Sequence, residues 1–132
     1  MASLYKEIRI HASAAAIWDA VRDVGALHTR LVPGFVIDTQ LEPGARRVTF
    51  ANGMTLLEPI ITVDDARRRM VWSAQGGATT HYNAALQVIA DGEASSRVSW
   101  TSDFLPDTLE PTLSAMQDQG LATMKRTFEA GR

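Results

Sequence analysis

The chain has 132 residues, the length of one domain (residues 1–132), and a domain of this size buries about two thirds of the surface that its unfolded form exposes. Its formal net charge is −2 and its thirteen Lys and Arg residues are scattered, so we expect no basic surface for nucleic acid. Because it contains no cysteine, no apolar signal segment and no membrane-spanning run, the sequence indicates a cytoplasmic protein without disulfides, Cys-built zinc sites or membrane insertion.

The N-terminal pattern predicts one strand followed by two short helices. Residues 4–11 alternate between apolar and polar side chains, which is the period of a half-buried strand. Ser13 has the position of a helix N-cap, and a helix follows over residues 14–22. Gly25 ends this helix, and a second short helical turn is predicted over residues 26–31.

The central part of the chain has the pattern of strands throughout. From Phe35 to Phe104, short apolar runs are separated by turn signals such as Glu42-Pro-Gly44 and Asn52-Gly53. Strands that are joined by such short links run antiparallel to one another. We therefore expect six strands in a meander.

A single long helix is predicted after the strands. It runs from Glu110 to about Ala130, with Pro111 in its first turn and Gly131 just past its end. Its apolar face needs a sheet to cover it, and is formed by Leu113, Met116, Gly120, Leu121, Met124 and Phe128. These elements predict an α+β fold in which an antiparallel sheet curls around the C-terminal helix, with two short helices between the first and second strands.

One predicted strand carries a carboxylate in an apolar setting. The segment from Gly53 to Asp64 is otherwise apolar, but Glu58 and Pro59 stand in its middle. An unpaired buried carboxylate is strongly unfavourable, so Glu58 faces water, has a partner, or belongs to a functional site. Pro59 cannot donate a ladder hydrogen bond, which indicates an edge strand or a bulge.

The partner of Glu58 depends on the loop that precedes the strand. A two-residue loop at Asn52-Gly53 would place Glu58 opposite Arg47. A three-residue loop, with Gly53 in the left-handed conformation, would place it opposite Arg46 and collect the larger apolar residues on one face. Hydrophobic patterning therefore favours Arg46. Two roles for Glu58 remain open, a structural ion pair and a polar anchor in a cavity wall. One residue can serve both.

Several segments of the chain resemble one superfamily. The segments are SAAAIWDAV, EPIITVDD, MVWSAQGGATTHY, VSWTSDFLP and GLATMKR. Together with the order of elements, they resemble the START-related helix-grip (SRPBCC) superfamily, in its polyketide cyclase/dehydrase and lipid-transport branch, over essentially the whole chain. The resemblance implies a seven-stranded sheet that grips the long C-terminal helix, and a deep, mostly apolar cavity between them.

The resemblance also implies which residues line that cavity. In hormone-binding members, a glutamate at the position of Glu58 and a tyrosine at the position of Tyr82 line the pocket. Trp100 is expected to face the same way, because it belongs to the apolar alternation of its strand. The predicted ligand-binding residues are Glu58, Trp72, Tyr82, Ala84, Trp100, Met116 and Gly120. The long gate and latch loops of the plant hormone receptors are absent from the sequence, so a gated receptor is not expected.

The leading hypothesis is that the protein binds one small hydrophobic molecule, which is aromatic, polyketide-like or a lipid. The alternative is an enzyme of the cyclase or dehydratase type, with Glu58 and Tyr82 as its acid and base groups. A partner-binding role with a collapsed cavity is a third possibility, and the protein could be a monomer or a homodimer.

No phosphate loop is present and the three histidines lack metal-ligand spacing, so we expect no cofactor and no metal. Gly120 either leaves room for a ligand or packs closely against a bulky side chain such as Trp.

Overall fold

The computed structural model describes residues 1–130 and contains one antiparallel sheet wrapped around a long C-terminal helix. The strands are β1 (Ala2–Ile10), β2 (Val36–Glu42), β3 (Ala45–Phe50), β4 (Thr55–Asp64), β5 (Arg69–Ser73), β6 (His81–Ala90) and β7 (Ser96–Leu105). The α-helices are α1 (Ala14–Arg22) and α2 (Glu110–Glu129). The strand order is β1-β7-β6-β5-β4-β3-β2, so β2 to β7 form the predicted meander and β1 joins it beside β7. The predicted α+β helix-grip fold is confirmed.

The segment between β1 and β2 is helical, as predicted. The side chain of Ser13 accepts a hydrogen bond from the backbone N–H of Ala16, which confirms it as the N-cap of α1. This helix ends at Arg22, and Gly25 lies beyond it in a 3-10 turn. A Cβ atom at Gly25 would stand 2.9 Å from Cγ of Leu41, so Gly25 lies closely under this exposed side chain. A π-helical turn, Leu27–Leu31, then leads to β2.

The hairpin between β3 and β4 has the favoured three-residue loop. The backbone N–H of Phe50 donates to the carbonyl of Met54, and Gly53 has a φ of +89°. In this register Arg46 is the partner of Glu58 across the two strands. The prediction that Arg46, rather than Arg47, faces Glu58 is therefore confirmed.

Pro59 lies in an interior strand, because β4 is paired with β3 on one side and with β5 on the other. The edge-strand alternative is thus wrong. The N–H of Leu57 donates towards Gln75, and the nitrogen of Pro59, two residues on, faces the same side. The pairing of β4 with β5 is interrupted there and carries a bulge between Ile60 and Thr62. A missing donor is tolerated because the ladder is irregular at this point.

Helix α2 covers the concave face of the sheet with its predicted apolar stripe, in which Gly120, Leu121 and Met124 are buried. A Cβ atom at Gly120 would stand 2.7 Å from Cζ3 of Trp100, so the helix packs directly against this ring. Gly131, predicted to lie just past the helix, falls outside the described residues. Within residues 1–130, none of the helices has both the length and the hydropathy needed to cross a membrane.

Replacing Gly120 by Ala tests this packing. Overpacking a rigid ring costs about 1–3 kcal/mol, whereas the better helix propensity of Ala returns about 1 kcal/mol. We expect Gly120→Ala to lower the free energy of unfolding by about 1 kcal/mol in urea denaturation. Gln119→Ala, at the exposed neighbouring position, should stay within about 0.5 kcal/mol of the wild type. A Gly120→Ala protein more stable than the wild type would contradict the close packing.

Candidate functional site

A cavity of about 170 Å³ lies between the sheet and the N-terminal half of α2. Its wall is mostly apolar and includes Leu27, Leu31, Val32, Phe35, Phe50, Met54, Leu56, Met70, Leu113 and Met124. The exposed residues of the lining belong to the loop between β5 and β6 and to the first turn of α2, among them Gly76, Ala78 and Thr112. The cavity therefore opens to solvent between that loop and the start of the helix.

Arg46 and Glu58 form a buried ion pair in the cavity wall. Nε of Arg46 donates to Oε1 of Glu58 over 2.9 Å, and the two residues are 2% and 6% exposed. The Arg46 guanidinium also donates to the carbonyl of Val24 over 3.4 Å, and its Cζ lies 5.9 Å from the ring centroid of Trp72. The pair is thus held by a cross-strand hydrogen bond, by backbone and by a cation–π contact.

Burial controls the protonation of Glu58. Removal from water raises the pKa of its carboxyl, while the charge of Arg46 and its hydrogen bond act in the opposite direction and only in part offset the rise. A carboxyl with a raised pKa in an apolar cavity can exchange a proton with a bound molecule or accept a hydrogen bond from it. Glu58 therefore has a structural partner, Arg46, and is also suited to exchange a proton with a bound molecule or to accept a hydrogen bond from it.

Tyr82 places a hydroxyl at the same cavity. Burial raises the pKa of Tyr82 well above its ordinary value, the neighbouring charge of Glu58 adds to the rise, and interactions with Trp100 and Ser102 reduce it. The hydroxyl consequently stays protonated at neutral pH and can donate a hydrogen bond. His81, its neighbour in β6, is absent from the cavity lining, as expected for residues that alternate across a strand.

Two tryptophans and one glutamine complete the wall. The ring centroids of Trp72 and Trp100 are 5.9 Å apart, with the planes tilted by 53°. Gln117 of α2 is buried, accepts a hydrogen bond from the Ser102 hydroxyl, and donates to the backbone carbonyl of Trp100 over 3.4 Å. This glutamine ties the helix to β7 beside the cavity.

Five of the seven predicted site residues border the cavity, namely Glu58, Trp72, Tyr82, Trp100 and Met116. Ala84 and Gly120 do not: Ala84 is buried in the sheet next to Trp72, and Gly120 is covered by Trp100. Of the two interpretations of Gly120, room for a ligand or close packing against a bulky side chain, the structure shows close packing against Trp100. Binding of a ligand by the other five stays a prediction.

Sequence reasoning missed Gln117 as a site residue. The available signal was its position, four residues after Leu113 and four before Leu121, where a polar side chain interrupts the apolar stripe of α2. Arg46 was predicted only as a partner of Glu58, yet it also borders the cavity. Among residues 1–130, no group of three or more His, Asp or Glu side chains is arranged to hold a metal ion.

Removing one member of the buried pair should be costly. We expect Arg46→Met to lower the free energy of unfolding by about 3–5 kcal/mol, because it leaves Glu58 buried without its partner. The double variant Arg46→Met/Glu58→Leu should recover most of this loss, since apolar residues of similar volume often replace a buried pair without penalty. Urea denaturation measures both.

The matched control is Arg47→Met. Arg47 forms an exposed ion pair with Glu42, and such a pair is worth about 0–1 kcal/mol. If Arg46→Met were no more destabilising than Arg47→Met, the pair at the cavity would have to be solvated.

The raised pKa of Glu58 predicts a pH dependence of stability. A carboxyl with a higher pKa in the folded state than its ordinary value of 4.5 binds its proton more tightly when folded. Its contribution to stability is therefore fully present below that value and is lost as the pH rises through the folded pKa. The wild type should lose stability relative to Glu58→Gln as the pH is raised from about 4 to 8. A wild type that gains stability relative to the variant over this range would show that Arg46 outweighs burial.

Comparisons with known proteins agree with this architecture. XoxI from Bacillus cereus superposes with a TM-score of 0.88 at 20% identity, covering 98% of this chain and 97% of that one. The di-domain ARO/CYC BexL from the BE-7585A biosynthetic pathway matches with a TM-score of 0.82 at 16% identity, covering 98% of this chain and 47% of BexL. Norcoclaurine synthase from Thalictrum flavum, in complex with dopamine and hydroxybenzaldehyde, has a TM-score of 0.72 at 22% identity, with coverages of 96% and 83%. The TM-scores establish a shared fold, and at these identities they show the fold alone.

No curated protein matches the sequence at a significant level. A family model, described as polyketide cyclase / dehydrase and lipid transport, matches residues 1–129, which is nearly the whole chain. The chain therefore belongs to the polyketide cyclase/dehydrase and lipid-transport family.

Proposed function

We propose that the protein binds one small hydrophobic molecule in the cavity between the sheet and α2, with Glu58 and Tyr82 orienting its polar end. The observation that carries this proposal is an apolar cavity with a buried ion pair, Arg46–Glu58, in its wall. Ligand pockets typically combine such an apolar lining with a few fixed polar groups. Membership of a family that is described by polyketide and lipid chemistry supports the same conclusion.

The polar groups can fix the orientation of a ligand. The carboxyl of Glu58 uses Oε1 for Arg46, so its second oxygen can accept a hydrogen bond from a ligand hydroxyl. The protonated hydroxyl of Tyr82 can donate to a ligand oxygen. Norcoclaurine synthase, which has the same fold, holds dopamine and hydroxybenzaldehyde, so the fold can accommodate compact aromatic compounds with polar substituents.

The proposal is tested by ligand capture. Native mass spectrometry of protein purified under mild conditions should show a bound small molecule, or a library of apolar aromatic and lipid compounds should raise the melting temperature. Ala78→Trp, at the cavity mouth, should weaken binding by about tenfold or more, whereas Ala94→Trp, exposed and outside the lining, should not. Absence of any co-purified molecule together with no thermal shift would overturn the proposal.

A second candidate function is catalysis of the cyclase or dehydratase type. It is favoured by the raised pKa of Glu58, because a buried carboxyl in an apolar cavity is suited to move a proton. In this role Glu58 would act as base or acid, and the Tyr82 hydroxyl would donate to an enolate oxygen that develops on the substrate.

Glu58→Gln separates the two functions. For an enzyme, product formation from a bound compound, followed by liquid chromatography and mass spectrometry, should fall by about a hundredfold or more with affinity nearly unchanged. For a carrier, the compound is recovered unchanged from wild type and variant, and affinity alone responds. Arg47→Met, which leaves the cavity intact, is the control for both measurements.

A further inference from the structure

Trp100 carries a hydrogen-bond donor that the described part of the protein leaves unused. Its Nε1 is buried and reaches no acceptor with hydrogen-bond geometry among residues 1–130. Buried donors in folded proteins nearly always have a partner, because an unmade hydrogen bond loses its full solvation. The donor is therefore available to an acceptor that enters the cavity.

The packing of Trp100 fixes where this donor lies. Cζ3 and Cη2, on the outer edge of the benzene ring, face Gly120 of α2. The five-membered ring with Nε1 is at the other end of the indole, beside the Tyr82 hydroxyl; its interaction with that hydroxyl partly offsets the rise in the pKa of Tyr82 but does not reach hydrogen-bond geometry. Trp72 lies against the same side chain, and all three aromatic residues border the cavity. Nε1 is thus held beside a cavity and next to a second polar group.

The other buried polar side chains of the wall already have partners. Arg46 is bonded to Glu58, and Gln117 is bonded to Ser102 and to the Trp100 carbonyl. A ligand oxygen that approaches Trp100 Nε1 would therefore gain a hydrogen bond without breaking one in the protein.

The cavity volume limits the size of the ligand. An apolar cavity of about 150 Å³ in another protein binds benzene, whereas pockets for drug-sized ligands measure about 300–1,000 Å³. The volume of about 170 Å³ is close to the first value. It accommodates one six-membered ring with a small substituent.

We propose that the ligand is a compact carbonyl compound built on one six-membered ring, whose carbonyl oxygen accepts a hydrogen bond from Nε1 of Trp100. This inference rests on the proposed function, since it concerns the same cavity. It makes Trp100 the residue that selects a ligand with an acceptor oxygen over a hydrocarbon of the same shape. Tyr82, beside it, offers the same oxygen a second donor.

Two probes of equal shape test the inference: acetophenone, and α-methylstyrene, in which a methylene group replaces the carbonyl oxygen. The indole proton resonances of ¹⁵N-labelled wild-type protein are followed by NMR during titration. Acetophenone should move the Trp100 indole proton downfield, and α-methylstyrene should not. Trp18 is an internal reference, because its Nε1 already donates to Asp65 over 2.9 Å and lies away from the cavity.

Trp100→Phe keeps an aromatic ring but removes the donor. The ratio of the two dissociation constants should change by about tenfold in favour of α-methylstyrene, which corresponds to the loss of one buried hydrogen bond. Trp18→Phe, which removes an indole donor away from the cavity, is the matched control and should leave the ratio unchanged. If Trp100→Phe does not fold, the wild-type NMR titration decides the matter alone.

The outcomes separate this inference from the proposed function. If both probes bind and acetophenone leaves the Trp100 indole proton in place, the hydrogen bond is refuted and the apolar binding function stands. If neither probe nor any compound of the apolar library binds, the proposed function fails and this inference fails with it.

Discussion

The contact between Trp100 and Gly120 determines how α2 sits on the sheet. The ring occupies the space that a side chain at position 120 would need, so the middle of the helix rests directly on this side chain of β7. Along the N-terminal half of the helix, the cavity lies between helix and sheet. Trp100 belongs to both regions, because it packs against Gly120 and also forms part of the cavity wall.

The buried pair Arg46–Glu58 depends on a different constraint, the length of the loop between β3 and β4. A hairpin one residue shorter would turn every side chain of β4 to the opposite face, and Glu58 would meet Arg47 near solvent. With three residues in the loop, both charges lie inside and satisfy each other. An ion pair in such a place adds little to stability, because desolvation offsets the attraction. Its position in the cavity wall is consistent with the proposed role towards a ligand.

The fold could be predicted from the sequence because its determinants are local. The N-cap at Ser13, the loop ending in Gly53 and the stripe on α2 each follow from short-range chemistry, and together they allow few packings. The site was predicted only in part, since a cavity depends on how much space remains after packing. Ala84 and Gly120 share a face with cavity residues, but Ala84 is buried beside Trp72 in the sheet and Gly120 is covered by Trp100. Gln117 was overlooked because a lone polar residue on an apolar helix face finds its partner, Ser102, only through tertiary contact.

The cavity wall contains Met54, Met70, Met116 and Met124, which are four of the five methionines in the chain. A thioether side chain is unbranched and rotates about three bonds, so it changes shape at low energetic cost. The wall can therefore adjust to ligands of different shape within the limit that the cavity volume sets. A cavity lined by the stiffer β-branched residues would select ligands more strictly by their shape. Under the proposed function, selection among ligands of about this volume depends less on their shape than on how well they match the few fixed polar atoms of the wall.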